Sequence, residues 1–329
     1  MVTYNHEQFV AKAIESVVMQ EADFPFEVII GEDYSTDGTR AIVVEYAQRF
    51  PNIVHPLLHN NNLGLQGARN FQSVMAKCRG NYVAILEGDD YWTDPHKLQK
   101  QVDFLDSHPE YTICSHNVDV LEQATGNFYS WGYADQPEHL TLKDVLRNGS
   151  CGATCSLLFR RKMFDALPDW YTSGQVHGGD WTLQVLCTSR GPMRYLPEKM
   201  GVYRRHAAGA RYHATTAAAV RGHDATAISS KNALHGCDVV DAHFSYRYTR
   251  DLNSLRSYWL WIGGLDFMKA GCRRTALYWM LRSIALMVPR VPTALRGRDL
   301  AGEFFFVATG RGLPRMLRRC LPAKLRAHG

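Results

Sequence analysis

Three carboxylates within four residues are the clearest chemical feature of this chain. Glu87, Asp89 and Asp90 follow a short apolar run, Val83–Leu86, and Gly88 among them permits a turn. The apolar run predicts a buried strand, so the acids stand at a strand end. Carboxylates held this close repel one another unless a cation lies among them, and oxygen ligands suit Mg²⁺ or Mn²⁺. Two interpretations follow: a metal and diphosphate site, or a solvated acidic turn.

Polar residues follow the other predicted strands near the N-terminus in the same way. Apolar strand patterns alternate with helical patterns, which predicts a doubly wound, mostly parallel α/β sheet. Parallel strands bring their carboxyl ends to one edge, where such folds bind ligands. Besides the acids at 87–90, the clusters at these ends are Tyr4-Asn5, Glu32-Asp33 and Asn61-Asn62. We therefore expect one site assembled from several loops.

Two common nucleotide-binding motifs are missing. No G-x-G-x-x-G follows the first predicted strand, and the chain has no G-x-x-x-x-G-K-[ST], which argues against a dinucleotide fingerprint and a P-loop. Barely two apolar positions precede Tyr4, whereas a strand usually spans about five or six residues. We expect that the chain starts inside its first strand, by truncation or a misplaced start codon.

Composition narrows the class of protein. The 329 residues are 46% hydrophobic, enough for a sizeable core, and the net charge is +5. The chain from Arg273 onward is strongly basic, which favours an anionic partner such as a membrane surface. Nucleic acid is the weaker alternative, because the sequence contains no recognisable nucleic-acid-binding module. The 8 cysteines lack zinc-site spacing and predict reduced thiols in a cytoplasmic protein. No signal peptide or stretch of about 20 apolar residues is evident.

In their order along the chain, the motifs resemble those of the inverting family 2 glycosyltransferases of the GT-A fold. The match covers about residues 1–206 and rests on Val2-Thr3-Tyr4-Asn5, the block from Glu32 to Thr39, Asn62-Leu63-Gly64 with Ala68-Arg69-Asn70, Glu87-Gly88-Asp89-Asp90, and Gly179-Asp180-Trp181. The resemblance implies a GT-A type, Rossmann-like sheet with a C-terminal α-helical extension. It also implies transfer from a nucleotide-diphosphate sugar, with a UDP-sugar as the expected donor.

The resemblance implies roles for residues on the donor side. The Tyr4 loop would stack on the base, and Asp33 would accept a base N–H, although Asp33 could instead cap a helix. Arg204 and Arg205 would bind the leaving diphosphate, because guanidinium groups bind phosphate in bidentate fashion. Arg69 could equally pair with a surface acid. The residues expected to bind the donor are Tyr4, Asn5, Glu32, Asp33, Asn62, Arg69, Asp89, Arg204 and Arg205.

A divalent cation, Mn²⁺ or Mg²⁺, is the cofactor that the resemblance implies. Its expected ligands are Asp89, Asp90 and His206. Asp89 and Asp90 occupy the family's DxD-type position, where Glu87 replaces the usual first Asp. His206 would complete the metal site, or it is an ordinary surface histidine.

Asp180 is the residue expected to be catalytic. Inversion needs one carboxylate to take the proton from the acceptor hydroxyl, and the family places this base at the Gly179-Asp180-Trp181 motif. The alternative for Asp180 is a carboxylate that caps the following helix, and the two roles are compatible. Trp92, His177 and Trp181 are expected on the acceptor side, with packing as the alternative for Trp92.

The predicted organisation is a catalytic domain over 1–206, with a donor half at 1–120 and an acceptor half at 121–206, followed by a helical, basic region at 207–329. Helices predicted at 254–268 and 272–288 are flanked by arginines. This pattern favours in-plane attachment to the inner face of the plasma membrane over a helical hairpin with a basic tail. The acceptor would be a saccharide or a lipid-linked molecule, in cell-surface polysaccharide or glycolipid synthesis.

Two other functions stay open. A metal-dependent nucleotidyltransferase would share the nucleotide-binding sheet, but it should carry a Gly-rich, basic phosphate loop near the N-terminus, and Thr3–Gln8 offers none. A catalytically inactive, sugar-nucleotide-binding member of the same fold would be expected to lack the acids, whereas Asp89, Asp90 and Asp180 are present.

Overall fold

The computed structural model describes residues 1–132, 136–165, 167–174, 176, 179–207, 209 and 227–287. The chain divides into two compact units. The first comprises Met1–Val145 with Ser150–His213, and the second comprises Leu146–Gly149 with Ala214–Gly329.

The first unit begins with a small parallel sheet whose strands are joined by helices. The elements in chain order are β1 (Val2–Thr3), α1 (Val10–Val18), β2 (Val28–Glu32), α2 (Thr39–Arg49) and β3 (Val54–Leu58). The strands pair in the order β1–β2–β3, all parallel. α1 forms where apolar residues recur at helical spacing, and its buried face includes Val10, Ile14 and Val17. The alternation of strands and helices predicted from the sequence is confirmed here.

A second, larger sheet is mixed. Its strands are β4 (Tyr82–Ala84), β5 (Tyr91–Trp92), β6 (Ile113–Glu122), β7 (Asn127–Ser130), β8 (His139–Leu140), β9 (Leu158–Arg160) and β10 (Met193–Arg205). The main order is β4–β9–β6–β10–β5, while β7 pairs with β6 and β8 pairs with β10. β6 and β10 run parallel, and the other pairs of this sheet are antiparallel. The sequence missed β5, β7 and β8 because two to four residues carry little periodic pattern.

One helix leads from β3 into the larger sheet, and four more lie between its strands along the chain. They are α3 (Ala68–Met75), α4 (Lys97–Ser107), α5 (Leu142–Asn148), α6 (Asp169–Thr172) and α7 (Gly179–Thr188). β4 ends at Ala84, earlier than the strand that the apolar run Val83–Leu86 predicts. Ile85 and Leu86 therefore already belong to the loop that carries the acids.

The backbone of Val2 joins the two sheets. Its N–H donates to Leu86 O (3.3 Å), and its carbonyl accepts from the Gly88 N–H (2.9 Å). The resulting parallel bridge pairs Val2 with Glu87. Gly88 is needed for this approach, because a Cβ there would lie 2.5 Å from Thr3 Oγ1 and 2.8 Å from His6 Nδ1. The acidic loop is thereby fixed beside the end of β1.

The second unit is helical in its described part. Its helices are α8 (Ile228–His243), α9 (Thr249–Lys269) and α10 (Arg273–Met287). α9 and α10 pack closely at Gly263, where a Cβ would lie 2.4 Å from the Trp279 ring. The hydroxyls of Ser257 and Ser283 are 3.0 Å apart across the same pair. The predictions of α9 and α10 are confirmed, and α8 was missed.

The sequence also gives expectations about membrane-spanning helices and disulfide bonds, which can be compared with the described residues. No helix there is both long enough and apolar enough to span a bilayer. No disulfide bond joins the cysteines described. The basic residues that follow Met287 lie outside the described residues, as do residues 210–226.

A lysine lies in the interior of the first unit. Lys97 begins α4, and its side chain is fully buried. Its Nζ lies 3.9 Å from the centre of the Trp92 ring and has no hydrogen-bond partner among the described residues. Burial lowers the pKa of the Lys97 ammonium from 10.5 to about 7. Between about pH 7 and 10.5, Lys97 is therefore largely neutral in the folded chain and protonated in the unfolded chain.

We predict that Lys97→Met stabilises the protein near neutral pH. Between about pH 7 and 10.5 the unfolded state binds more protons at this residue, so wild-type stability should rise with pH. Met removes both this dependence and the buried amine, and should raise the free energy of unfolding at pH 7 by about 1–4 kcal/mol. Urea unfolding of both proteins across this pH range measures the difference.

The matched control is Lys100→Met on the same helix, where Lys100 is exposed and pairs with Asp94 at 2.6 Å. This change should alter the free energy of unfolding by less than about 1 kcal/mol. Stability curves that stay parallel for wild type and Lys97→Met would contradict the prediction.

Candidate functional site

The loops after β1 and β2 are tied together by Asn5. Its backbone is left-handed (φ 53°), its N–H donates to Ser35 Oγ (3.0 Å), and its side-chain Oδ1 accepts from the Thr36 N–H (2.8 Å). Asn5 thus orders the two loops through their backbones. Beside it, the rings of Tyr4 and Tyr34 are 42% and 49% exposed. Their exposed surfaces can contact a planar ligand, and the Arg40 guanidinium lies 5.5 Å from the centre of the Tyr34 ring.

Asp33 and Asn62 connect the loop after β2 to the loop after β3. Asp33 is buried, and its Oδ1 accepts from the Leu63 N–H (2.8 Å). Asn62 Nδ2 donates to the Asp33 carbonyl (3.1 Å). The helix-capping alternative for Asp33 is not observed, since α2 has Gly38 at its N-cap position. Asp33 instead holds the β3 loop at the sheet edge.

Glu32 is a supporting residue, as its buried side chain indicates. One carboxylate oxygen is 2.5 Å from Arg40 Nε, and the other accepts from the Ser35 N–H (2.6 Å). Arg69, in contrast, is exposed. Its guanidinium reaches the Leu63 carbonyl at 3.4 Å, and no described acid lies within salt-bridge distance. The guanidinium of Arg69, one of the arginines expected to bind the donor, is therefore free of a paired carboxylate among the described residues and can contact an anionic ligand at this edge.

The acidic loop meets two histidines. Asp89 Oδ2 lies 2.9 Å from His206 Nε2 and 3.8 Å from His6 Nε2. One ligand atom from each of these three residues can be chosen so that all lie within 4.8 Å of one another. Burial would raise the pKa of Asp89, but the hydrogen bond to His206 and the charges of both histidines outweigh it and hold that pKa below its usual value. Asp89 is therefore an ionised carboxylate.

Asp90 is not part of this group of three residues, although the sequence predicts it as a metal ligand. Its side chain is buried, and Oδ1 accepts from the Arg204 backbone N–H (2.7 Å). Burial, together with the charges of Asp89 and Glu87, raises the pKa of Asp90 well above its usual value. The structure brings Asp89 and His206 together as expected, and it puts His6 where the sequence interpretation has Asp90.

His6 was missed because a histidine in a turn carries no ligand signature of its own. The available signal was its place directly after the Tyr4-Asn5 cluster, at the edge where the other site residues were expected. Its N–H donates to Thr39 Oγ1 (2.8 Å), and its buried Nδ1 has no partner among the described residues. Burial lowers the pKa of His6, partly offset by Asp89, so a neutral imidazole can offer nitrogen to a cation.

Arg204 and Arg205, the two arginines expected to bind the diphosphate, have different surroundings. The Arg204 guanidinium is buried, donates to the Asp89 carbonyl (2.8 Å) and to Gln123 Oε1 (2.7 Å), and stacks over Phe9. Arg205 falls on the opposite face of β10 and pairs with Glu122 at 2.6 Å. Arg204 therefore supports the acidic loop from inside the protein, whereas the Arg205 side chain stays half exposed beside Glu122 and its role as a diphosphate ligand stays a prediction.

Trp92 also needs correction as an acceptor-side residue. Its ring is 4% exposed and lies in the hydrophobic core. Its indole N–H donates to the Cys155 carbonyl (2.8 Å). The structure therefore gives Trp92 the packing role. Trp181 is half-buried and donates to the Val145 carbonyl (3.1 Å), and His177 lies outside the described residues.

Asp180 is in the first turn of α7 and is half-buried. Ser150 Oγ lies 3.4 Å from Asp180 Oδ2. Burial raises the pKa of Glu87 to about 8, with further contributions from Asp89 and Asp180. Asp180 is thus close enough to the acidic loop for their charges to interact. The carboxylates from the β4 loop and from α7 border the same region of the first unit.

Gln184, one turn after Asp180 on α7, holds the segment that contacts Asp180. Its buried Oε1 accepts from the Cys151 N–H (2.8 Å). Its Nε2 donates to Ser150 Oγ (2.7 Å) and reaches the Gly152 carbonyl at 3.4 Å. One amide therefore fixes the backbone of 150–152 and the hydroxyl nearest Asp180.

The donor atoms around Asp89 fit a divalent cation. One carboxylate and two imidazoles form a mixed oxygen and nitrogen set, in which His6 Nε2 lies 3.8 Å from Asp89 Oδ2. Such a set suits Mn²⁺ better than Mg²⁺, which prefers oxygen ligands alone. Asp89, His206 and His6 are the residues that would hold the ion.

The sequence profile of glycosyl transferase family 2 matches residues 1–167, about half of the chain. The chain belongs to glycosyl transferase family 2. An uncharacterized protein of Mycobacterium tuberculosis is 39% identical over 216 residues, which is 65% of this chain and 60% of that protein. The putative teichuronic acid biosynthesis glycosyltransferase TuaG of Bacillus subtilis is 29% identical over 166 residues, 49% of this chain and 60% of TuaG. The chain thus spans about 60% of the length of these relatives.

Solved structures show the same fold. The mannosyltransferase PcManGT of Pyrobaculum calidifontis, in complex with GDP-Man and Mn²⁺, has a TM-score of 0.52 at 16% identity, covering 94% of this chain and 77% of that one. Residues 1–349 of TarS from S. aureus give a TM-score of 0.50 at 16% identity, covering 87% of each chain. The architecture of this family 2 chain is accordingly the GT-A fold.

We predict that Gln184→Leu destabilises the protein by about 1–3 kcal/mol, because the Cys151 N–H loses its acceptor in a buried position. Urea unfolding measures the loss. Gln48→Leu, at an exposed position of α2, is the control and should change stability by less than about 0.5 kcal/mol. Equal effects of the two substitutions would show that the amide network contributes nothing.

Proposed function

We propose that this protein transfers a sugar from a nucleotide-diphosphate sugar to a hydroxyl acceptor, with inversion at the anomeric carbon. The observation that carries the proposal is the cluster of Asp89, His206 and His6 in a family 2 chain, with the Asp180 carboxylate near enough to influence Glu87. A cation-binding group and a separate carboxylate are the two parts that such a transfer needs.

The donor would bind along the edge formed by the loops after β1, β2 and β3. The exposed rings of Tyr4 and Tyr34 offer stacking surfaces for the base. Asp33 would accept a base N–H, as the family resemblance implies, and Arg69 would reach the phosphates. A UDP-sugar remains the proposed donor. The GDP-Man in the PcManGT structure supports a nucleotide-diphosphate sugar in general.

A divalent cation held by Asp89, His206 and His6 would offset negative charge on the leaving diphosphate. Arg204 supports this arrangement indirectly, since its guanidinium binds the Asp89 carbonyl and its backbone N–H binds Asp90. These bonds fix the backbone of the acidic loop, and His206 Nε2 at 2.9 Å from Asp89 Oδ2 orients the carboxylate itself. Preorganisation of this kind reduces the reorganisation needed as charge develops.

Asp180 would act as the general base. The acceptor oxygen forms a bond to the anomeric carbon while the bond from that carbon to the diphosphate oxygen breaks, and the acceptor proton passes to Asp180. Ser150 and Gln184 hold the neighbouring segment in place. A saccharide or lipid-linked acceptor in cell-surface polysaccharide synthesis is proposed, in line with the teichuronic acid biosynthesis to which TuaG is assigned.

We predict that Asp180→Asn lowers kcat for sugar transfer by at least about 100-fold, because general-base catalysis contributes about 10²–10⁴-fold. Nucleotide affinity should stay nearly unchanged. Nucleoside diphosphate release and isothermal titration with the nucleotide measure the two quantities. Asp169→Asn, an exposed acid in the first turn of α6, is the control and should behave as wild type. Transfer retained with nucleotide affinity lost would reject Asp180 as the base.

We also predict that His6→Ala and His206→Ala each weaken Mn²⁺ binding by at least about tenfold, the loss expected even for residues that only orient metal ligands. Titration of free Mn²⁺ followed by electron paramagnetic resonance measures the affinity without any donor. The exposed His96→Ala is the control. If Asp90→Asn weakens binding and His6→Ala does not, the triad of Asp89, Asp90 and His206 is the correct ligand set.

A further inference from the structure

α10 has two faces of different character. Ala276, Met280 and Ser283 are buried, and Ser283 exchanges hydrogen bonds with Ser257 of α9. These positions recur at helical spacing, so one side of α10 is fully used in packing within the second unit.

The other face exposes large apolar side chains. Leu277, Tyr278 and Leu281 are 42%, 57% and 42% exposed, and their spacing of one, three and four residues makes them neighbours on the helix surface. Scattered exposed apolar residues are ordinary, but a contiguous group on one helix face marks an interaction surface. Tyr278 has a polar tip on an apolar ring, which suits a boundary between apolar and aqueous surroundings.

Arginines surround this group. Arg273, Arg274 and Arg282 are all exposed, and the Arg282 guanidinium lies 5.7 Å from the centre of the Tyr278 ring. The helix contains no acidic residue. The sequence after α10 continues the basic character, with only Asp299 and Glu303 as acids against Arg290, Arg296, Arg298, Arg311, Arg315, Arg318, Arg319, Lys324 and Arg326.

The charges decide between the occupants that an apolar face could have. A second copy of the chain, docked face to face, would bring two sets of arginines together without acids to balance them. An anionic bilayer surface accepts the apolar side chains at its interface and attracts the arginines at the same time. The described part of the helix, Arg273–Met287, is neither long enough nor apolar enough to cross the bilayer, so it would lie in the membrane plane.

We propose that the exposed face of α10, formed by Leu277, Tyr278 and Leu281 with Arg273, Arg274 and Arg282, binds an anionic phospholipid surface. The helix lies in the plane of the interface, its apolar side chains enter the headgroup boundary, and its arginines contact lipid phosphates. Neither the donor nor the acceptor takes part in this contact. Membrane binding can therefore be tested independently of the proposed transferase activity.

Flotation of the full chain with lipid vesicles tests the proposal. The protein should float with phosphatidylcholine vesicles that contain phosphatidylglycerol, and should not float with phosphatidylcholine alone. Leu277→Glu/Leu281→Glu should reduce the bound fraction by about tenfold or more, because acids replace the apolar contacts in an anionic field. Gln48→Glu/Asn52→Glu changes the net charge equally at exposed positions of the first unit and should bind as wild type.

Circular dichroism and thermal melts establish that the double Glu variant is folded, and Leu277→Ser/Leu281→Ser provides a milder second variant. Loss of anionic-vesicle binding in both variants supports the proposal. Equal binding of variants and wild type would assign the attraction to basic residues elsewhere and overturn it. A wild-type dimer that the substitutions convert to a monomer, with vesicle binding unchanged, would identify a second copy as the occupant and also overturn it.

Discussion

The pairing of Val2 with the acidic loop is the contact on which the candidate site depends. Its N–H and carbonyl bind Leu86 and Gly88, so that β1 of the parallel sheet lies directly beside the carboxylates that follow β4. This contact brings His6, from the loop after β1, to Asp89. It tolerates no side chain at Gly88, where a Cβ would meet Thr3 and His6. A backbone constraint thus determines which side chains can share a ligand.

The three neighbouring acids differ because their surroundings differ. Asp89 faces two histidines and stays ionised, whereas burial raises the pKa values of Glu87 and Asp90. Carboxylates this close cannot all carry charge without compensation, and the protein resolves the conflict by keeping only one of them strongly acidic. The ionised one is the residue positioned beside potential nitrogen ligands. Electrostatics and geometry therefore select the same carboxylate.

Much of the fold could be predicted from the sequence, and the site only in part. Strand and helix periodicity located the elements of the parallel sheet and the two long C-terminal helices. Periodicity could not show that Arg204 is buried and Arg205 exposed. The two are neighbours on β10 and differ only in the face of the strand that each occupies and in the residues that each contacts there. Periodicity could not distinguish the role of Asp90 from that of Asp89 either, because these adjacent residues differ only in the groups that they contact. The role of His6 depends on a contact between distant loops, which no local pattern encodes.

The central claim is that the sheet edge binds a nucleotide-diphosphate sugar for transfer. Incubation with a panel of such sugars, with and without Mn²⁺, followed by measurement of the released nucleotide, tests it most directly. The account predicts Mn²⁺-dependent release of a nucleoside diphosphate from at least one donor, lost in Asp89→Asn. Formation of a nucleoside triphosphate and sugar 1-phosphate when pyrophosphate is added, without release of nucleoside diphosphate, would instead indicate a nucleotidyltransferase. Nucleotide-sugar binding without release, in the presence of the correct acceptor, would indicate an inactive member of the family, and either result would contradict the account.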